Sequence, residues 1–150
     1  MDAMLSTIYR CAEMHMEHIA RGGDPFESGS SRPLDFGHWS AHKLEQMSNY
    51  SLRHGEAVAK GIALDLTYSR IIGLISPEIL DEILEVMTEI GFDLSIPVSG
   101  DKEIHELLKG IQEFREHLGG EVTITLINGR GKKIEVHHID MGCLMNAVNF

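Results

Sequence analysis

The chain is 150 residues long, with 23 acidic and 13 basic residues and a formal net charge of −10 at neutral pH. That length suits one ordinary domain with its own core, and an apolar fraction of 43% excludes a disordered chain. The acidity disfavours a nonspecific nucleic-acid binder, which needs a basic footprint, but leaves room for a local positive pocket that takes a phosphorylated small molecule.

Met1-Asp2 opens the sequence with no basic region ahead of a long apolar run, so no signal peptide is expected. No run of about 18 apolar residues marks a membrane span. Cys11 and Cys143 stand singly, outside any Cys-x-x-Cys motif, which fits a reducing, cytoplasmic setting.

A first helix is expected over residues 2–21, where Leu5, Ile8, Cys11, Ala12, Met16 and Ile19 keep helical spacing and Gly22-Gly23 stops it. Residues 22–33 are rich in Gly, Ser and Pro and predict a loop, with Asp24 to Glu27 an acidic turn inside it. A second helix is expected over 36–48, anchored by Leu34, Phe36, Trp39 and Leu44, and a third, strongly apolar one over 54–72, stopped by Gly73. Gly55 and Gly61 in that third helix offer places for close helix approach, which gives a reason to carry glycine at its cost in helix stability. Ser76-Pro77-Glu78 has the form of a helix start, and this fourth helix runs to Ile90 before Gly91. After a connection from Phe92 to Gly100, helical spacing returns as one segment over 101–118. Val122, Ile124 and Leu126 then alternate with Thr123 and Thr125, Asn128-Gly129-Arg130-Gly131 turns the chain, and Ile134 and Val136 follow, which is a hairpin pattern. A short helix over 140–148 closes a chain that is mainly α with a small terminal β-hairpin.

The nine histidines need sorting. His38 and His42 are four apart in a predicted helix and share one face. Imidazoles so spaced can grip one cation, though such pairs are common without one. His54 opens the next helix and can fold back beside them, with Gly37 and Gly55 permitting close backbone approach. A catalytic divalent site typically takes three protein ligands and leaves one position open. Glu45 and Glu56 are the nearby acids, each equally able to form a surface pair or a cap, and ordinary core or surface histidines are the alternative for the trio. His15 and His18 read as helix surface before metal site. His137-His138 are adjacent in a strand and face opposite ways. His105 belongs to a polar helix face, and His117 lies near a helix end that a cation complements. Trp39 reads as core, and Asn128 to Lys133 as a turn that lacks a phosphate loop.

The block Arg32-Pro33-Leu34-Asp35-Phe36-Gly37-His38-Trp39-Ser40-Ala41-His42-Lys43-Leu44-Glu45, followed by His54-Gly55-Glu56-Ala57-Val58, resembles the C-terminal domain of the 3-dehydroquinate synthase and sugar phosphate cyclase family. That family carries Asn-x-Gly-His-Thr-x-x-His and then His-Gly-Glu-Ala-Val in this order and separation. Asp35 and Trp39 depart from the pattern and point to a divergent cyclase-like branch. The resemblance implies that His38 and His54 bind a catalytic divalent cation, zinc or cobalt, with a glutamate from further upstream than this chain reaches as the remaining ligand. It places His42 on the substrate side, in orientation or proton transfer. It also maps a family glutamate onto Glu27 and leaves Arg32, one place beyond the family's basic position, as a phosphate contact. Asp35 replaces a substrate-facing asparagine; a carboxylate cannot donate the amide hydrogen bond and repels phosphate, which argues against the usual substrate. Arg115 falls in the region of a family Asp-Lys-Lys element, where it either keeps one positive charge or is an ordinary surface helix charge.

The implied activity is NAD-dependent: transient alcohol oxidation, loss of phosphate, re-reduction, and an intramolecular carbonyl attack that closes a carbocycle. The resemblance covers nearly the whole chain but only the later portion of a full family protein. Residues 1–150 are therefore expected to form a partial C-terminal metal-binding helical domain. The N-terminal NAD-binding domain is expected to lie outside this chain, since no Gly-rich strand-to-helix motif occurs within it. Expected partners are a phosphorylated sugar-like small molecule and a missing N-terminal half or homologous partner chain, with a homodimer as a further arrangement. The isolated chain is expected to be inactive. The competing readings are a metal-dependent alcohol dehydrogenase-like domain and a non-enzymatic helical interaction domain.

Overall fold

The computed structural model describes residues 2–21, 34–117 and 122–149, and the side chains of 116 and 117 are outside this description. The chain divides into two compact units, Met1–Ser31 and Arg32–Phe150. The first holds helix α1, Ala3–Arg21, whose surface carries an Arg10–Glu13 ion pair at 3.0 Å. Glu27 and Arg32, two of the residues mapped onto the family site, lie outside the described residues.

The second unit runs α2 (His38–Met47), α3 (His54–Ile71), α4 (Pro77–Glu89), α5 (Gly100–Leu108), α6 (Gly110–His117), β1 (Ile124–Ile127), β2 (Lys133–Val136) and α7 (Met141–Val148). Helix α3 is the central element, buried over most of its circumference and packed by α2, α4, α7 and β1. Its apolar side chains Leu64 and Tyr68 join Trp39, Leu107, Leu126 and Leu144 in the main core, while Leu66 turns the other way to meet Ile75 and Leu80 under α4. A helix that is apolar nearly all round has to be enclosed, which explains why the other elements are arranged about it.

The α2–α3 contact is close because two glycines meet. Gly37, just before α2, adopts φ +79°, and a Cβ there would lie 2.6 Å from the Ile62 backbone nitrogen. A Cβ on Gly61 would run into the Gly37 carbonyl oxygen. Gly55 meets nothing, so the close approach expected there does not occur.

Helical spacing over 101–118 led to one expected segment, but the structure has two helices, broken at Lys109. The reason is packing. Gly110 sits under α2, where a Cβ would lie 2.9 Å from Lys43 Cβ, and re-aiming the chain there lets Leu107, Leu108 and Ile111 all stay buried. Lys43, only 4% exposed, fastens both pieces: its Nζ donates to Glu106 of α5 at 2.9 Å and to Glu113 of α6 at 2.7 Å.

The hairpin forms as the alternation required. Antiparallel β1 and β2 pair Ile124 with Val136 and Leu126 with Ile134. Asn128 and Lys132 close the turn, with Gly129 and Gly131 both at positive φ. Ile124 and Leu126 bury the same face, as period two demands. At the last helix the Asp140 carboxylate caps α7 by accepting from the Cys143 amide at 2.9 Å, and the Tyr68 hydroxyl accepts from the Asp140 amide at 2.9 Å. Among the described residues no helix is long and apolar enough to cross a membrane.

The glycine contact gives a direct contrast. Gly61→Ala is expected to destabilise the protein by about 1–3 kcal/mol, because backbone must shift to admit one methyl. Gly55→Ala, in open space, is expected to be neutral or stabilising by up to about 1 kcal/mol. Urea unfolding of the two variants measures the difference; equal midpoints would refute the packing argument.

Candidate metal centre

Helix α2 begins at His38, so His38 and His42 stand one turn apart on the same face. The chain then reverses within a few residues. Asn49 and Tyr50 both take left-handed conformations, φ 51° and 60°, and the Tyr50 amide donates to the Glu45 carbonyl at 2.7 Å. Two consecutive non-glycine residues in that region cost about 1–2 kcal/mol each, a cost tolerated because the turn must be short. His54 emerges as the first residue of α3, and the Glu56 carboxylate accepts from the Arg53 amide at 3.2 Å to cap that helix.

The reversal brings three imidazoles together. Ring centroids are 5.7 Å apart for His38–His42, 5.5 Å for His38–His54 and 5.7 Å for His42–His54. Glu45 lies among them, its Oε2 at 3.3 Å from His42 Nδ1 and 3.2 Å from His54 Nδ1. The cluster opens at the surface: His42 and His54 are 59% and 55% exposed, whereas Glu45 is 16% exposed. His38 sits deepest, and its Nδ1 is 3.3 Å from the Phe36 carbonyl oxygen. Burial holds its pKa below the ordinary histidine value despite the Phe36 hydrogen bond, and the neighbouring His42 and His54 add to the effect. A neutral imidazole is the form that ligates a metal.

What holds His38 there is a residue that the sequence reading did not single out. The Asp65 carboxylate, fully buried in α3, accepts from the Gly37 amide at 3.0 Å and from Trp39 Nε1 at 2.8 Å. Those donors flank His38 on both sides. Desolvation raises the Asp65 pKa to about 7, opposed by the Trp39 and Gly37 hydrogen bonds. The available signal was an acid alone in the otherwise apolar run Gly61 to Leu66. Trp39 is core, as expected, but its indole N–H is part of this bridge. Lys60 was missed too. It is buried, and its Nζ donates to the Asp93 and Ser95 carbonyls, each at 2.7 Å, and to the Asp93 carboxylate at 2.9 Å, pinning the connection after α4.

Of the other sequence candidates, Asp35 lies in the turn before α2, where its carbonyl accepts from the His38 amide at 3.0 Å. Glu56 is occupied as a helix cap. His105 Nδ1 is 2.6 Å from the Asp101 carbonyl, and His137 Nδ1 is 3.0 Å from the Val122 carbonyl. Arg115 is exposed on α6. Among the described residues, the group of ligand-type side chains close enough to hold an ion is His42, Glu45 and His54. His38 completes the cluster at ring distance.

The structure is thus a helical domain with three imidazoles clustered where two tightly packed helices begin. The chain belongs to the 3-dehydroquinate synthase family, whose C-terminal model matches residues 1–115. It is 35% identical over 101 residues to a 2-epi-valiolone synthase of Actinosynnema mirum, covering 63% of this chain and 26% of that protein. It is 33% identical over 110 residues to a 3-dehydroquinate synthase of Aeropyrum pernix, covering 73% and 30%. Its fold matches a 2-epi-5-epi-valiolone synthase from Streptomyces hygroscopicus subsp. jinggangensis, solved with NAD+ and Zn2+, at a TM-score of 0.82 and 23% identity over 95% of this chain and 39% of that one. The chain therefore spans between 26% and 39% of the length of these relatives.

Asp65 yields a mutational and a pH prediction. Asp65→Ala leaves two buried N–H donors without an acceptor and is expected to cost about 2–4 kcal/mol in urea unfolding. The folded carboxyl keeps its proton up to about pH 7, whereas the unfolded one loses it near 3.8. Between those values the folded state binds more protons, so its stability is expected to fall as pH rises through this window. Subtracting the pH profile of Asp65→Asn isolates that slope; identical profiles would show that Asp65 is ionised throughout.

Proposed function

We propose that this chain is the metal-binding half of an NAD-dependent, sugar phosphate cyclase-like enzyme. The observation that carries the reading is the mutual 5.5–5.7 Å spacing of His38, His42 and His54, built by the family's own sequence block. A cluster of neutral-capable ring nitrogens suits zinc or cobalt, and one or two oxygen ligands complete such sites.

In this reading His38 and His54 hold the cation, and the remaining carboxylate ligand comes from a segment outside these 150 residues. When bound, the cation orients substrate hydroxyls and stabilises negative charge developing on oxygen. His42, at the exposed mouth, takes or returns a proton at its ring nitrogen. By the family resemblance, Asp35 and Glu27 would serve the substrate and Arg32 its phosphate. The carboxylate at Asp35 goes with a substrate other than the usual one, in line with a match to a 2-epi-valiolone synthase beside those to 3-dehydroquinate synthases. Hydride transfer belongs to NAD, held by a domain supplied by another segment or a partner chain. The setting is cytoplasmic.

Calorimetric titration with zinc and with cobalt tests the centre. The folded chain is expected to bind one equivalent at submillimolar strength, and His38→Ala and His54→Ala are each expected to abolish saturable binding. A folded wild-type chain that binds neither metal would refute a preformed site. Alone, the chain is expected to give no NAD-dependent cyclisation. Once the complementary half is supplied, phosphate release with ring closure fits the proposal, whereas accumulation of a carbonyl product and NADH would favour an alcohol dehydrogenase.

A further inference from the structure

Glu45 lies outside the ligand pair and substrate-side set of the proposed function, although with His42 and His54 it forms the group close enough to hold an ion, and its side chain touches two of the three rings. One of its oxygens, Oε2, lies 3.3 Å from His42 Nδ1 and 3.2 Å from His54 Nδ1. An ionised carboxylate only accepts hydrogen bonds, so both Nδ1 atoms must be the donors. A neutral imidazole that donates from Nδ1 has its lone pair on Nε2. In water the free ring prefers the opposite arrangement, with the proton on Nε2, so this geometry selects the less common tautomer twice.

We propose that Glu45 is a positioning residue that fixes His42 and His54 together as Nδ1–H tautomers, presenting Nε2 of each ring outward for chemistry. His38 reaches the same tautomer by another route, since its Nδ1 faces the Phe36 carbonyl, which also only accepts. The three rings thus share one electronic state through two kinds of acceptor. Glu45 serves two rings with different jobs in the proposed function: a cation ligand, His54, and a proton-transfer group, His42. A shared acceptor links them, because a cation drawing on His54 makes its Nδ1–H a stronger donor to the carboxylate that also holds His42. Carboxylates set behind metal-bound imidazoles act in this way, raising ligand basicity and fixing ring orientation.

The placement of Glu45 supports a role distinct from scaffolding. Its backbone carbonyl accepts from Tyr50 and from the Ser48 hydroxyl, so the turn after α2 is held by main-chain atoms that any substitution retains. The side chain is left for the rings. Its exposure of 16%, against 59% and 55% for the histidines, puts it beneath them.

The functional consequence rests on the metal reading, but the tautomer assignment stands without it. The test is long-range proton–nitrogen NMR correlation on the full chain, labelled with nitrogen-15 and held above the ordinary histidine titration range. Single histidine substitutions assign the signals. In the wild-type chain, His42 and His54 are expected to be predominantly Nδ1–H. In Glu45→Ala, and in Glu45→Met, which keeps the length and removes the charge, both are expected to shift towards Nε2–H. His38 is expected to stay Nδ1–H, which also reports that the fold survived. Wild-type rings already in the Nε2–H form, or rings unmoved by either substitution, would overturn the proposal. A zinc titration of the same samples separates this idea from the metal reading. Glu45→Ala is expected to weaken zinc about 10–100-fold, with the wild-type metal on Nε2. Zinc found on Nδ1, with Glu45 as a direct ligand, would overturn the positioning role. The expected tautomers in a wild-type chain that binds no zinc would uphold it while sinking the metal reading.

Discussion

The structure depends on one buried carboxylate. Asp65 sits inside α3 among apolar neighbours, where an unpartnered acid would be costly, and survives because the Gly37 amide and the Trp39 indole both donate to it. The dependence runs both ways, since those two donors would otherwise be buried without an acceptor. The bridge spans the α2–α3 interface just where Gly37 and Gly61 bring backbone against backbone. It therefore fixes the two residues either side of His38, and with them the deepest ring of the cluster.

Helix α2 consequently has two faces with different duties. Trp39 and Leu44 enter the core, and Lys43 crosses to Glu106 and Glu113, tying the site-bearing helix to α5 and α6. His38 and His42 turn to the other side, towards His54. A buried lysine held by two carboxylates contributes less to stability than to placement, because desolvation consumes much of the Coulombic gain. Lys60 does for the connection after α4 what Lys43 does for α5 and α6. The polar interior of this small domain thus serves chiefly to hold its helices at set positions around α3.

The ring cluster shows how local and distant constraints divide the work. The spacing of His38 and His42 comes from helix geometry alone. Bringing His54 to them needs the reversal at Asn49 and Tyr50, whose left-handed conformations no apolar periodicity announces. The acids Glu45 and Glu56 looked interchangeable in sequence. The structure sends Glu56 to the Arg53 amide as a cap and leaves Glu45 among the imidazoles, because Glu56 is already in the first turn of α3 while Glu45 lies one turn beyond His42 and two beyond His38 on α2.

The sequence by itself determined the mainly helical class, the starts and stops of most helices, the terminal hairpin and the three histidines worth attention. All of these are written in short-range signals: helical spacing, Pro77 at a helix start, alternation around Asn128-Gly129, and the compact blocks that carry the family resemblance. Only the tertiary structure decided the break at Lys109, the open space at Gly55, the placement of Glu45 among the rings and the bridge from Asp65. Each of these depends on which surfaces meet. Gly110 is forced by α2 above it, and Asp65 is paired with donors more than two dozen residues away. Periodicity records which face a residue occupies, but not what the opposite face will offer it, and a buried acid is tolerated or fatal on that second fact.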